Sequence, residues 1–203
     1  MAILSPWRGR IIAKGDSPAS VASVPNLICI ARILLTPVFV WLLLADNGEL
    51  GDLRVAAAIF FIVLLVTDSL DGWIARSRNL VTDFGKLIDP IADKAITGAA
   101  FVGLSILGEL DWWITIIVLV REVAITVHRL TVAQDVVIPA SWAGKAKTIA
   151  QAVALSLALL PLSLLVGEWI VVVNIAVMSI AVALTVFSGL EYVWQIRKAR
   201  RAK

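Results

Sequence analysis

The sequence predicts an all-α membrane protein with six transmembrane helices and both termini in the cytoplasm. Three observations support this fold class. The chain of 203 residues is 60% hydrophobic, whereas soluble domains are roughly 45–50% apolar. Its apolar residues form runs close to the roughly 20 residues that a helix needs to cross the hydrocarbon core of a bilayer. Finally, basic residues collect in alternate connections between these runs, which is the pattern of the positive-inside rule.

Turn-forming and polar residues divide the apolar sequence into six helical segments. These segments are about 26–45, 53–79, 84–107, 112–134, 143–166 and 169–195. We therefore divide the chain into a cytoplasmic or interfacial segment, residues 1–24, a six-helix catalytic domain, residues 25–196, and a basic tail, residues 197–203. The first segment has no apolar run of the 7–15 residues typical of a signal peptide, so it is an interfacial anchor or a disordered tail.

Charge sets the predicted orientation. The amino-terminal segment, the connections near 76–82 and 129–147, and the carboxyl tail carry Lys and Arg, whereas the loops near 46–52, 108–111 and 167–168 are acidic. Arg54 is the only basic residue close to the acidic loops. The last seven residues hold five basic groups without interleaved aromatic residues. This tail is therefore expected to bind anionic membrane lipids and no nucleic acid.

Four aspartates interrupt the second and third apolar segments. Asp68 and Asp71 are three residues apart, and Asp89 and Asp93 are four apart, so each pair shares one face of its helix. The two helices are joined by a short connection, so we expect them to be antiparallel neighbours. Both pairs lie at similar distances from that connection. The hairpin is thus expected to gather four carboxylates slightly inside the cytoplasmic surface.

A cluster of four ionised carboxylates needs cations in a membrane. Each would cost about 2.5–3.5 kcal/mol at the centre of a bilayer. Two Mg²⁺ or Mn²⁺ ions about 3.5–4 Å apart suit such an all-oxygen site and would assist a phosphoryl transfer. Two alternatives remain open from spacing alone. The aspartates could form salt bridges with nearby Lys and Arg side chains, or a proton relay in a transporter.

Small residues lie beside the aspartates on both helices. Gly72 and Ala75 follow Asp71, and Gly85 precedes Asp89 by one helical turn. Small side chains let either a bulky ligand or a facing helix approach the backbone closely.

The whole stretch resembles the signature of the CDP-alcohol phosphotransferase family. The motif D-x2-D-G-x2-A-R-x8-G-x3-D-x3-D matches at every fixed position from Asp68 to Asp93. The resemblance implies a six-helix membrane fold, a homodimer and a site for two metal ions that faces the cytoplasm. It assigns residues to three roles. The metal ligands would be Asp68, Asp71, Asp89 and Asp93, with Asp93 also the catalytic base, and the pocket for the CDP group would be lined by Gly72, Ala75, Arg76 and Gly85.

Further segments are similar to one branch of that family, the bacterial phosphatidylglycerophosphate synthases. These segments are 25–28, 31–37, 121–122, 138–141 and 144–148. Trp142-Ala143 departs from the pattern of the branch, where a basic or small residue followed by glycine is more common. By this resemblance, Asn26 and Arg32 would contact the nucleotide lipid. Arg32 could alternatively extend its charged end to the membrane surface.

Four basic residues follow in the predicted fourth and fifth helices and their connection. Arg121, Arg129, Lys145 and Lys147 could hold the phosphate of an anionic acceptor. Arg121 and Arg129 are eight residues apart, so they lie on roughly the same side of a helix. Glu122 could pair with a lysine. For Arg129, Lys145 and Lys147 the alternative is an ordinary role in a positive cytoplasmic loop.

These features predict a metal-dependent enzyme of the bacterial cytoplasmic membrane, with its active site facing the cytoplasm. It would transfer the phosphatidyl group of CDP-diacylglycerol to glycerol 3-phosphate and release CMP. Inositol phosphate is the alternative acceptor, because it is also an anionic phosphate. A small cation or proton transporter is the alternative outside enzymes.

Overall fold

The computed structural model describes residues 24–77, 83–132 and 142–201, and these ranges are all-helical apart from turns. They contain seven helices in chain order: α1 (Val24–Ala45), α2 (Asp52–Ser77), α3 (Asp83–Ile106), α4 (Trp112–Val132), α5 (Trp142–Leu159), α6 (Leu162–Val166) and α7 (Trp169–Arg201). The predicted amino-terminal segment, residues 1–24, lies outside this description except for its last residue.

The predicted fifth helix, 143–166, is wrong in one respect, because the chain breaks it into α5 and α6. The break falls at Leu160 and Pro161. Proline has no N–H to continue the ladder, and it also disfavours the helical conformation of the residue before it. The Leu162 N–H instead bonds to the carbonyl of Leu160 at 2.8 Å. The five residues of α6 are too few to cross a membrane.

Long apolar stretches in two helices agree with the predicted membrane protein. Among the described residues, Asn26–Ala45 in α1 and Trp169–Lys198 in α7 are long and apolar enough to cross a bilayer. Many large apolar side chains also face outwards, including Leu34, which is 69% exposed, and Val172, also 69% exposed. Such a surface fits a lipid environment better than water.

Helix α1 lies at the centre of the amino-terminal half. It packs extensively against both α2 and α3, whereas α2 and α3 contact each other at few of the described residues. Phe39 of α1 packs on Phe61 of α2 with ring centroids 5.6 Å apart. Gly103 of α3 lies against Leu43, where a Cβ atom would come within 2.5 Å of a methyl carbon. Over their described residues, α2 and α3 therefore pack mainly against α1 rather than against each other.

A buried ion pair joins the ends of three helices at the acidic side of the bundle. Arg54, which is fully buried, donates from Nη1 to Glu109 Oε1 at 2.9 Å and from Nε to the Leu159 carbonyl at 2.8 Å. The Asp46 carboxylate accepts the backbone N–H of Arg54 at 3.2 Å. Arg54 thus offsets the charge of Glu109 and caps α5 where Pro161 ends it. We call Asp46, Arg54 and Glu109 the Arg54 cluster.

Candidate active site

The aspartates of the signature lie on α2 and α3, as the sequence predicts. Asp68 and Asp93 are both partly exposed. The backbones of Asp71, Gly72, Ala75 and Arg76 in α2, and of Gly85 and Asp89 in α3, are helical. The side chains of those six residues lie outside the described part, so the expected four-carboxylate site and the CDP pocket remain predictions. Among described residues alone, no group of three or more potential metal ligands comes together.

Arg32 of α1 binds the first aspartate of the signature. Its side chain is 2% exposed, and Nη1 forms a salt bridge with Asp68 Oδ1. Arg32 Nη2 also lies 3.3 Å from Cys29 Sγ. The alternative in which Arg32 extends to the membrane surface does not fit this burial. Asn26, also proposed to contact the nucleotide lipid, is 3% exposed and lies on the same helix.

The last aspartate of the signature belongs to a cluster of five charged residues. Lys94 Nζ lies 2.7 Å from Asp93 Oδ2 and 3.1 Å from Glu122 Oε2. Glu122 Oε1 accepts from Arg121 Nη1 at 2.8 Å and from Lys147 Nζ at 2.5 Å. The side chains of Glu122 and Lys147 are only 8% and 3% exposed. We call Asp93, Lys94, Arg121, Glu122 and Lys147 the Glu122 cluster.

The guanidinium of Arg121 is fixed from a second side by α7. Its Nη2 donates to Ser188 Oγ at 2.9 Å, and the Ser188 hydroxyl donates to the Thr185 carbonyl at 3.1 Å. Gly189 allows this contact, because a Cβ there would lie 3.3 Å from Arg121 Cγ. Arg121 Nε is buried and has no hydrogen-bond acceptor within the part of the chain that is described. One arginine thus ties α4 to α7 beside the acidic group Glu122.

The structure separates the four basic residues proposed for the acceptor phosphate into two groups. Arg121 and Lys147 belong to the Glu122 cluster. Lys145 is exposed, and Arg129 is exposed with its guanidinium 5.3 Å from the ring centre of Tyr192. The burial of Lys147 does not fit the alternative of an ordinary loop lysine. For Lys145 and Arg129 that alternative remains open.

Helix period correctly places Arg121 and Arg129 on one side of α4, because both contact α7. Between these two arginines, His128 Nδ1 lies 3.0 Å from the Tyr192 hydroxyl. The side of α4 that faces α7 is therefore polar over its last two turns.

The Glu122 cluster and the Arg54 cluster are separated along the bundle. Lys147 precedes Leu159 in α5 by 12 residues, which corresponds to about 18 Å along a helix at 1.5 Å per residue. Lys147 lies in the first turns of α5, whereas the Leu159 carbonyl that binds Arg54 ends it. The Glu122 cluster is therefore distinct from the ion pair between Arg54 and Glu109.

Sequence reasoning gave Lys94 and Glu122 only secondary roles, and it missed Ser188. Lys94 was considered as a counter-ion for the aspartates, and Glu122 as a partner for a lysine. Glu122 contacts both Lys94 and Lys147, which confirms that it pairs with a lysine. Arg121 binds the same carboxylate. The adjacency of Asp93 and Lys94 in the sequence could have indicated the role of Lys94, because it places a cation beside a carboxylate of the signature. Ser188, in an apolar stretch of α7, gives no such signal.

An apolar helical bundle that gathers carboxylates and buried cations from several helices fits a membrane enzyme for a phosphate-bearing substrate. The chain belongs to the CDP-alcohol phosphatidyltransferase family, whose model matches residues 22–187. It is therefore a phosphatidyltransferase of phospholipid biosynthesis, and the transporter alternative is wrong.

Curated relatives agree with this assignment over most of the chain. A "probable phosphatidylglycerophosphate synthase" of Mycobacterium tuberculosis is 44% identical over 93% of this chain and 86% of its own length. A "CDP-diacylglycerol--glycerol-3-phosphate 3-phosphatidyltransferase" of Bacillus subtilis is 40% identical over 84% of this chain and 93% of its own length. A protein of the same description from Shigella flexneri is 35% identical, with 84% and 92% covered.

Proposed function

We propose that this enzyme transfers the phosphatidyl group of CDP-diacylglycerol to sn-glycerol 3-phosphate. The products are phosphatidylglycerophosphate and CMP. The names of the relatives supply the two substrates. The observation in this chain that carries the proposal is the Glu122 cluster. In it the last signature aspartate, Asp93, pairs with Lys94, and Lys94 shares the carboxylate of Glu122 with Arg121 and Lys147 from two further helices. An acceptor that bears a phosphate dianion fits cations at this place.

On the acceptor side, Arg121 and Lys147 would bind the phosphate of glycerol 3-phosphate. Arg121 presents a planar guanidinium suited to two oxygens of a phosphate, and Lys147 presents a compact ammonium. Lys145 and Arg129, which are exposed, would attract the dianion from the cytoplasm rather than hold it. Asp93 would accept the proton of the acceptor hydroxyl as its oxygen attacks the phosphorus that bears the lipid.

On the donor side, Asp68, Asp71, Asp89 and Asp93 would hold two divalent cations, Mg²⁺ or Mn²⁺. Members of the family generally depend on divalent metals. The donor set fits, because carboxylate oxygens are the ligands that these hard cations prefer. The two described aspartates already attract cationic groups, Asp68 from Arg32 and Asp93 from Lys94. When bound, the metal ions would offset the charge of the pyrophosphate and of the departing CMP.

The nucleotide lipid would bind along α1 and α2. Arg32 and Asn26 are buried on α1, and Arg32 reaches Asp68, so both would border the pocket formed by Gly72, Ala75, Arg76 and Gly85. Small residues at those positions would leave space beside the backbone for the CDP group.

We propose six membrane crossings, formed by α1 to α5 and α7, with both termini in the cytoplasm. The separation of the two charged clusters supports this arrangement. The Arg54 cluster lies at the end of the bundle that carries the acidic loops, whereas the basic connections near 76–82 and 129–147 follow the other ends of these helices, which the positive-inside rule assigns to the cytoplasm. Residues 25–196 would form the catalytic domain, and the basic tail, 197–203, would bind anionic lipids. By resemblance, the protein would act as a homodimer in the bacterial cytoplasmic membrane.

The acceptor is tested by supplying purified protein with CDP-diacylglycerol, Mg²⁺ and one alcohol at a time. Glycerol 3-phosphate, inositol phosphate, inositol and serine form the panel, and released CMP is the readout. We expect CMP release to depend on glycerol 3-phosphate, because the Glu122 cluster favours an anionic acceptor. Free inositol has the polyol but no phosphate, so it shows whether the acceptor must carry a phosphate.

If CMP release instead requires inositol phosphate, the acceptor assignment is wrong and the class of reaction stands. Release with serine or free inositol would contradict the phosphate-binding role of the cluster as well.

A further inference from the structure

Glu122 is the shared partner of every cation in its cluster. Its Oε1 accepts from Arg121 at 2.8 Å and from Lys147, and its Oε2 lies 3.1 Å from Lys94 Nζ. The carboxylate is 8% exposed. A carboxylate so enclosed is not available to a substrate, so its effect is exerted through the side chains that it holds.

These side chains come from three separate helices. Lys94 belongs to α3, Arg121 to α4 and Lys147 to α5. Lys and Arg side chains are long and lose much rotamer freedom when they are fixed. A single buried acceptor between them restricts all three at once. This is the kind of support that a binding site needs if its donors are to be in place before the ligand arrives.

Glu122 also links the cations to the proposed catalytic base. Lys94 Nζ contacts Glu122 on one side and Asp93 Oδ2, at 2.7 Å, on the other. Three cations, Lys94, Arg121 and Lys147, face two carboxylates, Asp93 and Glu122, which leaves a formal charge of +1 in the cluster. The cluster therefore retains attraction for an anion while its cations are held apart.

We propose that Glu122 is a positioning residue for the acceptor. It holds Arg121 and Lys147 in the arrangement that receives the acceptor phosphate, and it keeps Lys94 from pairing with Asp93 alone. This inference rests on the proposed function, because it assigns the cluster to glycerol 3-phosphate.

The test is Glu122→Gln, which keeps the size of the side chain and removes its charge. We expect KM for glycerol 3-phosphate to rise at least tenfold, because the cations repel one another and leave their places. KM for CDP-diacylglycerol should stay within about twofold of the wild-type value. Glu122→Asp keeps the charge on a side chain that is shorter by one methylene, so its KM for glycerol 3-phosphate should be intermediate. This variant replaces Glu122→Gln in the test if Glu122→Gln does not fold.

Glu109→Gln is the matched control. It also removes a carboxylate from a buried arginine, Arg54, but in the separate Arg54 cluster. A general loss of packing should lower the thermal midpoint of both variants, whereas the change in KM for glycerol 3-phosphate should be confined to Glu122→Gln. A second readout needs no turnover. In EDTA, glycerol 3-phosphate should raise the thermal midpoint of the wild type and of Glu109→Gln more than that of Glu122→Gln.

An unchanged or lowered KM for glycerol 3-phosphate in Glu122→Gln would overturn the inference, and so would an equal rise for both substrates. The wild type in the same assay reports on the proposed function separately. Wild-type CMP release that does not depend on glycerol 3-phosphate contradicts the acceptor assignment and this inference together. If wild-type CMP release depends on glycerol 3-phosphate and Glu122→Gln has an unchanged KM for it, only the role of Glu122 is contradicted.

Discussion

Replacing Asp93 by asparagine is expected to lower kcat about 10³-fold, within the 10²–10⁴-fold range of general acid–base catalysis. The substitution removes the proton acceptor and one proposed metal ligand, yet preserves the shape of the side chain. Lys94, which lies 2.7 Å from the Asp93 carboxylate, keeps Glu122 as a partner, so KM for the acceptor should change much less than kcat. Initial rates at varied glycerol 3-phosphate and saturating CDP-diacylglycerol separate the two constants.

Asp111→Asn is the control for this substitution. Asp111 is exposed at the start of α4, where its carboxylate contacts Trp113 Nε1 at 3.3 Å, and the variant should retain wild-type kinetics. A kcat for Asp93→Asn within about threefold of wild type would remove Asp93 from the role of base.

Replacing Arg121 by alanine is expected to act on binding instead. A charge-assisted hydrogen bond contributes about 1.5–3 kcal/mol, so KM for glycerol 3-phosphate should rise roughly 10- to 100-fold. A phosphate clamp acts in the ground state and transition state alike, whereas a base acts only as the bond forms. The fall in kcat should therefore be smaller than for Asp93→Asn, and KM for CDP-diacylglycerol should be nearly unchanged.

Arg197→Ala is the control for this substitution. It also removes an arginine, but Arg197 is exposed near the end of α7. It should leave both KM values unchanged. If Arg121→Ala weakens binding of CDP-diacylglycerol rather than glycerol 3-phosphate, the Glu122 cluster serves the donor and the proposed acceptor site is misplaced.

The long helices were predictable because each is an apolar run bounded by polar or turn-forming residues. The break inside the predicted fifth helix was missed although Pro161 was visible, because the surrounding apolar run continues to Val166. Hydropathy detects the apolar run, whereas the break in the helix depends on the missing N–H of Pro161. Arg54 satisfies the carbonyls freed there, and it comes from a helix more than 100 residues earlier in the chain.

Helix neighbours were harder to predict than helix positions. A short connection between α2 and α3 favours a packed hairpin, yet α1 packs against both and accounts for most of their contacts in the described ranges. This arrangement is what brings Arg32 of α1 to Asp68 of α2. Sequence spacing relates residues within one helix, and it says nothing of a third helix that enters between two others.

The same limit applies to the candidate site. The signature predicted the aspartates as metal ligands, and residue type indicated Arg121 and Lys147 as phosphate ligands. Residue type could not show that Lys147 is buried and that Arg129 packs on Tyr192. The meeting of Lys94, Glu122 and Lys147 depends on the packing of α3, α4 and α5, so it emerged only with the tertiary structure.

The most direct test of the central claim is to measure CMP and identify the lipid product in one reaction. Purified protein, CDP-diacylglycerol and glycerol 3-phosphate are combined with Mg²⁺ or Mn²⁺, with EDTA, and with EDTA followed by excess metal. We predict one molecule of phosphatidylglycerophosphate for each CMP, loss of both products in EDTA, and recovery of both when metal is restored. Product formation that persists in EDTA, or CMP release that yields phosphatidic acid by transfer to water, would contradict metal-dependent phosphatidyl transfer to glycerol 3-phosphate.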